Sequence, residues 1–144
     1  MKIVVLGGGE SGFGAAYLAK QKGLEVFLSD KGQLRENYKQ LLQENGIDFE
    51  EGNHDEERIL SADWIVKSPG IPKKAEIIQK IQAKGIRISS EIEFASEFTQ
   101  AKIIAITGSN GKTTTTSLIY HILKNDNFNV GLGGNIGKSF AKQV

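Results

Sequence analysis

The 144-residue sequence contains no cysteine, one tryptophan, one methionine and two prolines. Without cysteine it has neither a disulfide framework nor a thiolate metal site, which fits a reducing compartment. No apolar run approaches the roughly 20 residues of a membrane-spanning helix, and the N-terminus enters a predicted strand without a cleavable signal pattern. Eighteen Lys and Arg nearly balance seventeen Asp and Glu, so a broad basic face for nucleic acid is not expected. We therefore expect a cytoplasmic protein that binds neither membranes nor nucleic acid.

Short apolar runs alternate with helical patterns along the first two thirds of the chain. Strands are predicted at 2–6, 24–29, 47–49, 63–67 and 86–88. Gly23, Gly46 and Gly85 each stand between a predicted helix and the next strand, where a left-handed residue ends a helix. This alternation is typical of an α/β fold with a parallel sheet. We predict a Rossmann-like domain over residues 1–98.

A first glycine-rich loop, Gly7-Gly8-Gly9-Glu10-Ser11-Gly12, has the pattern G-x-G-x-x-G between a predicted strand and a predicted helix. Asp30 ends the second predicted strand, where a Rossmann unit places its ribose-binding acid. The loop therefore predicts a nucleotide-type ligand, either a dinucleotide or another diphosphate. The alternative is that the glycines only allow the strand and helix to pack tightly.

A second glycine-rich loop lies near the other end of the chain. The run Ile103–Ile106 predicts a short buried strand, and Lys112-Thr113 opens a predicted helix after two glycines, Gly108 and Gly111. This order of elements predicts a phosphate cradle. In it, Lys112 would reach the β- and γ-phosphates and Thr113 would ligate Mg²⁺. The full P-loop pattern requires a glycine where this chain has Ile106, so a turn that only caps the helix is the alternative. A further strand is predicted at 128–132.

The two loops together are more informative than either alone. A hydride-transfer enzyme needs the first loop and has no use for a Lys-Thr phosphate loop, whereas a simple ATPase needs only the second. A ligase that uses ATP to activate a nucleotide-linked acid has use for both.

The segment Thr107–Thr114 resembles the ATP loop of the Mur ligase family, a shortened P-loop without the early glycine. Ser68-Pro69-Gly70-Ile71 and Gly133-Gly134-Asn135-Ile136-Gly137 are similar to segments of the member that adds D-glutamate to UDP-N-acetylmuramoyl-L-alanine. The resemblance implies a UDP-substrate-binding domain at 1–98 and the truncated start of a central P-loop ATPase domain at 99–144. It also implies ATP and Mg²⁺ as cofactors, a monomer, and no ligase activity for this piece alone.

The resemblance further assigns site residues. Lys112 would be catalytic and Thr113 would hold the metal. The ATP-binding set would be Gly108, Ser109, Asn110, Gly111, Lys112, Thr113 and Thr114, and the substrate-binding set would be Ser11, Asp30, Lys31, Gly70 and Asn135.

Simpler interpretations stay open for the substrate-binding set. Asp30 could cap a turn, and Gly70 could be needed only for the backbone conformation after Pro69. Asn135 could adopt a left-handed turn conformation, and Lys31 could be a solvated surface charge. His54 and His121 lack a second ligand at metal spacing and are interpreted as structural or surface residues. The competing functions are a non-catalytic NAD- or nucleotide-sensing module and a related ligase with another acid substrate.

Overall fold

A computed structural model describes residues 1–134, 136 and 138–144. The first half of the chain alternates strands and helices in the order β1 (Lys2–Leu6), α1 (Glu10–Gln21), β2 (Glu25–Asp30), α2 (Glu36–Glu44), β3 (Asp48–Glu51), α3 (Glu56–Leu60) and β4 (Trp64–Lys67). It continues with α4 (Glu76–Ala83), β5 (Arg87–Ser89), α5 (Glu91–Ser96), α6 (Lys112–Asn125) and a short 3₁₀ turn at Phe140–Gln143.

The strands form one sheet in the order β3-β2-β1-β4-β5, and every neighbouring pair is parallel. Strand β1 lies at the centre, and Ile3, Val4, Val5 and Leu6 have no solvent-exposed surface. Apolar side chains on both faces are expected of a central parallel strand, because helices cover both sides of such a sheet. The predicted α/β class with a Rossmann-like parallel sheet is confirmed.

Successive residues of β1 point into two separate cores, because side chains alternate along a strand. Ile3 and Val5 pack with residues of α1, α2 and α5. Val4 and Leu6 pack with residues of α3 and α4 on the opposite face. The sheet is thus the middle layer of three, which fixes the loops at its carboxyl edge.

The helix-terminating role predicted for three glycines is confirmed. Gly23, Gly46 and Gly85 have φ angles of 72°, 59° and 69°, and each follows a helix directly before an apolar segment. In this left-handed region a side chain carries a steric cost that glycine avoids.

The second half of the chain agrees with only part of the prediction. Helix α6 begins at Lys112 as expected, but the strands predicted at Ile103–Ile106 and 128–132 do not form, and Ile103 and Ile104 are 50% and 59% exposed. A strand needs a neighbour to satisfy its backbone hydrogen bonds, and within the described residues no strand of the sheet extends to either segment. The apolar face of α6 is likewise uncovered there, with Leu118 and Ile122 exposed.

The last residues return to the first domain. The 3₁₀ turn at Phe140–Gln143 packs against α1 and α5, and Ala141 is 2% exposed. Over the described part of the chain, no helix combines the length and the apolar character that crossing a membrane would require.

Candidate functional site

The candidate site is a cleft of about 760 Å³ at the carboxyl ends of β1, β2 and β4. The sheet order reverses between β1 and β4, and the crevice at such a switch point is where open α/β sheets bind ligands. The volume lies within the range of small-molecule sites. The cleft is lined by Gly7, Gly8, Gly9, Glu10, Ser11, Asp30, Lys31, Asn53, His54, Glu56, Ser68, Pro69, Gly70, Ile71, Pro72, Ala75, Glu76 and Ile77.

The first glycine loop connects β1 to α1 along one wall of this cleft. The Gly7 N–H donates to the Ser29 carbonyl oxygen at 2.9 Å, which fixes the loop to the neighbouring strand. A Cβ atom on Gly12 would lie 1.8 Å from the Gly7 carbonyl oxygen, so the loop and the first turn of α1 touch backbone to backbone. The positive end of α1 therefore faces the cleft at close range, as anion binding requires.

Asp30 holds this loop in place. One carboxylate oxygen accepts the Gly8 N–H at 2.6 Å, and the other accepts the Gly32 N–H at 2.7 Å. The contact with Gly32 caps a turn. Capping a turn is the simpler interpretation of Asp30 that the sequence left open. The first contact is an additional structural role that sequence reasoning did not foresee, and it places the carboxylate at the loop proposed for a diphosphate.

Replacing Asp30 with alanine is expected to destabilise the chain even without ligand. The change leaves two backbone N–H groups without their acceptor, which costs about 1–3 kcal/mol where water does not replace it. Denaturant unfolding with and without the substitution measures the difference. Asp48→Ala is the matched control, because the Asp48 side chain is 73% exposed in its pair with Arg58 and such pairs contribute about 0–1 kcal/mol. Equal losses for both variants would contradict the assigned role.

The turn that carries Gly70 forms the opposite wall. The Lys67 ammonium donates to the carbonyl oxygens of Ser68 at 2.9 Å and Ile71 at 2.7 Å, which closes the turn from inside. The cleft therefore brings together four of the five residues predicted to contact the substrate: Ser11, Asp30, Lys31 and Gly70. The fifth, Asn135, lies outside the described residues.

His54 is a cleft residue that sequence reasoning interpreted as structural or surface. Its Nδ1 atom lies 2.6 Å from the Ser29 hydroxyl, which in turn donates to the Glu50 carboxylate at 2.6 Å. Because the single hydroxyl proton of buried Ser29 goes to Glu50, the imidazole donates through Nδ1–H, and its Nε2 atom is not used in this pair. Its place in the sequence could have identified His54 as a cleft residue, because it follows the carboxyl end of β3. That end lies at the same edge of the sheet as Asp30.

The charges that line the cleft are mostly negative. Four acidic residues, Glu10, Asp30, Glu56 and Glu76, line it together with Lys31. Two of them are paired with a lysine, since the Lys80 ammonium lies 2.8 Å from the Glu56 carboxylate and 2.7 Å from the Glu76 carboxylate. The hydrogen bond from Lys80 lowers the pKa of Glu76 below its ordinary value.

The second glycine loop lies in an exposed turn before α6. Gly111 caps the helix with φ at 75°, and Lys112 is the first helical residue. The Lys112 ammonium folds back to the carbonyl oxygens of Gly108 and Ser109. Gly108, Ser109, Asn110, Gly111, Lys112, Thr113 and Thr114 are all exposed.

This arrangement fits a phosphate ligand. A lysine and the hydroxyl of Thr113 stand at the positive end of a 14-residue helix, with open space in front of the loop backbone. None of the loop residues lines the cleft, so the two glycine loops are separate features of the described structure.

Family models match both halves of the chain. The model of the MurD N-terminal domain matches residues 2–77, and that of the Mur ligase middle domain matches residues 106–143.

Individual relatives agree with these matches. The UDP-N-acetylmuramoylalanine–D-glutamate ligases of Bacteroides fragilis and Porphyromonas gingivalis are 62% and 56% identical over 99% of this chain. The chain spans about a third of the length of these curated relatives, 32% in each case.

Two solved ligase structures have a similar fold. A murein peptide ligase from Psychrobacter arcticus superposes with a TM-score of 0.64 at 27% identity, covering 88% of this chain and 27% of that one. The UDP-N-acetylmuramate:L-alanyl-gamma-D-glutamyl-meso-diaminopimelate ligase from Neisseria meningitides gives 0.63 at 25% identity, covering 96% and 45%.

Proposed function

Because the chain belongs to the family of the MurD N-terminal domain, we propose that it forms the substrate-binding part of an ATP-dependent amide ligase. The ligase would add D-glutamate to UDP-N-acetylmuramoyl-L-alanine in the cytoplasm, where ATP is available. Residues 1–98 would be the UDP-binding domain and 99–144 the start of the ATPase domain. The observation that carries the proposal is the pair of phosphate-type loops, each at the start of a helix, in one chain.

The substrate would bind in the cleft of the first domain. Its diphosphate would lie against the glycine loop, where the backbone at Ser11 and the start of α1 favour negative charge. The Asp30 and Lys31 pair would face the uracil and ribose, and Gly70 would approach from the opposite wall. Asn135 would reach the substrate from the second domain. Binding here would hold the reacting carboxylate of the alanyl end at a fixed distance from ATP.

The reaction would begin with transfer of the γ-phosphoryl group of ATP to the alanyl carboxylate. The amine of D-glutamate would then attack the acyl phosphate, forming an amide bond and releasing phosphate. Phosphoryl transfer of this kind depends mainly on positioning and charge stabilisation. Lys112 would hold the β- and γ-phosphates, the exposed N–H groups of Gly108–Thr114 would surround them, and Mg²⁺ on the Thr113 hydroxyl would neutralise their charge.

An assay of phosphate release tests the proposal. In a polypeptide that continues through the full length of the relatives, ATP hydrolysis should require both UDP-N-acetylmuramoyl-L-alanine and D-glutamate. Omitting D-glutamate and adding hydroxylamine should trap the acyl phosphate as a hydroxamate. Turnover that is indifferent to the UDP-linked acid would refute the assignment, and turnover with another amino acid would identify a related ligase instead.

A further inference from the structure

Glu10 stands in the loop where the proposed function puts a diphosphate. It occupies the fourth position of Gly7-Gly8-Gly9-Glu10-Ser11-Gly12, begins α1 and lines the cleft. The positive end of a helix attracts a diphosphate. A carboxylate on the first residue of that helix repels it, and this repulsion is larger near a protein surface than in bulk water.

The carboxylate of Glu10 is ionised and held by three donors. The Tyr38 hydroxyl donates to one oxygen at 2.7 Å, and the Lys142 ammonium lies 3.0 Å from the other, which also accepts the Ser139 N–H at 3.3 Å. The Tyr38 bond, followed by those from Lys142 and Ser139, lowers the pKa of Glu10 despite its partial burial. Of these donors only Lys142 brings a compensating positive charge.

Lys142 reaches Glu10 because the end of the chain is docked by specific contacts. The buried Glu91 carboxylate accepts the Ser139 hydroxyl at 2.7 Å and the Ala141 N–H at 2.6 Å. Gly14 makes room for this contact, since a Cβ atom there would lie 1.9 Å from the Ser139 hydroxyl oxygen. We call residues 139–144 the docked segment.

Packing also fixes the Lys142 side chain itself. Its ammonium lies 4.7 Å from the centre of the Phe13 ring, and the side chain is 24% exposed. The flexible stem of a lysine is therefore ordered before any ligand arrives, and its charge stays beside Glu10.

We propose that Lys142 is a positioning residue for the first glycine loop: it neutralises Glu10 and so allows the loop to accept a nucleoside diphosphate. The docked segment follows the glycine-rich segment 133–137 of the second half of the chain. Its docking on α1 and α5 thus couples that half to diphosphate binding in the first domain. The inference rests on the proposed function only in taking UDP as the ligand of this loop.

A double-mutant cycle that removes each charge in turn tests the proposal in the 144-residue chain. UDP affinity is measured by calorimetry at low ionic strength for the wild type, Lys142→Met, Glu10→Gln and the double variant. Lys142→Met should weaken UDP binding at least about fivefold, because it leaves the Glu10 charge uncompensated. Glu10→Gln should bind UDP at least as tightly as the wild type. The double variant should return to within about twofold of Glu10→Gln, since no charge then remains to compensate.

Two further measurements separate charge compensation from loss of structure. Uridine lacks the diphosphate, so its affinity in an NMR titration should be the same for all four proteins. The effect of Lys142→Met on UDP should also shrink at high salt, because screening weakens the repulsion. Lys138→Met changes the net charge equally at an exposed position of the same region and should leave both affinities unchanged.

The outcomes decide between distinct failures. Equal loss of UDP and uridine in Lys142→Met, or no rescue in the double variant, would overturn the proposal. If Lys142→Met does not fold, Glu10→Gln alone decides, and weakened UDP binding by that variant would contradict charge compensation. A wild-type chain that binds no UDP would overturn the proposed function and this inference together, whereas UDP binding without coupling would overturn the inference alone.

Discussion

Replacing Lys112 with alanine is expected to lower turnover by about 10³-fold or more in the ligase proposed for a polypeptide of the relatives' full length. Lys112 is the first residue of α6, and its ammonium places a positive charge at the start of that helix. Removing one preorganised group that stabilises developing charge costs about 10²- to 10³-fold, and a cationic group on a transferring phosphoryl reaches about 10³- to 10⁵-fold. Phosphate release with both acid and amine substrates present measures the loss.

Lys124→Ala is the matched control for this prediction. Lys124 lies in the last turn of the same helix and is exposed, so its removal takes away the same charge far from the loop. It should retain turnover, and the Lys112 variant should still bind UDP, because the first glycine loop does not depend on α6. Unimpaired turnover in Lys112→Ala would remove the second loop from the reaction.

Replacing Gly12 with alanine is expected to destabilise the first domain by about 3 kcal/mol or more. The new Cβ atom would meet the Gly7 carbonyl oxygen at 1.8 Å, and backbone cannot rotate away as a side chain can. Overpacking a close contact costs about 1–3 kcal/mol and occasionally more. The midpoint of thermal unfolding should fall on the order of 10 °C.

Gly9→Ala provides the comparison within the same loop. Gly9 has φ at −75°, and no atom lies within 4 Å of the position its Cβ would take. Alanine fits that conformation without a clash, so the loss should not exceed about 1 kcal/mol, the cost of alanine in place of glycine at the N-cap of α1. If Gly9→Ala and Gly12→Ala lower the unfolding midpoint equally, the close approach of loop and helix is not what requires glycine here.

The first domain could be predicted from sequence because its local signals and its packing agree. Continuous apolar runs such as Ile3–Leu6 suit strands buried on both faces, and the glycines after the helices have the left-handed backbone that the pattern requires. The ring centres of Trp64 and Phe94 lie 4.9 Å apart in the core, with 3% and 0% of the residues' surfaces exposed. Every strand of this domain finds its partner within the chain.

The second half could be predicted only where structure is local. Helix α6 forms within a single segment and begins where the Lys-Thr pair indicated. The apolar run Ile103–Ile106 has strand-like composition, but pairing is a non-local property, and the described residues supply no partner for it. The curated relatives are about three times as long as this chain.

The candidate site could be predicted at the level of elements and not of contacts. The sequence predicted that Ser11, Asp30, Lys31 and Gly70 belong to one site, and the sheet brings them to one cleft. It could not indicate that Asp30 accepts the Gly8 N–H, that His54 pairs with Ser29, or that Lys142 reaches Glu10. Each of these contacts joins residues more than 20 positions apart and depends on the register of the sheet or on docking of the chain end.

Calorimetric titration of the 144-residue chain with UDP, and separately with NAD, tests most directly whether the first loop serves a UDP-linked acid. We expect saturable one-to-one binding of UDP, at least about tenfold tighter than any binding of NAD. Gly12→Ala should abolish that binding, whereas Asp48→Ala should not, because Asp48 does not line the cleft. Tight binding of NAD without binding of UDP would contradict the account and favour a dinucleotide-sensing module.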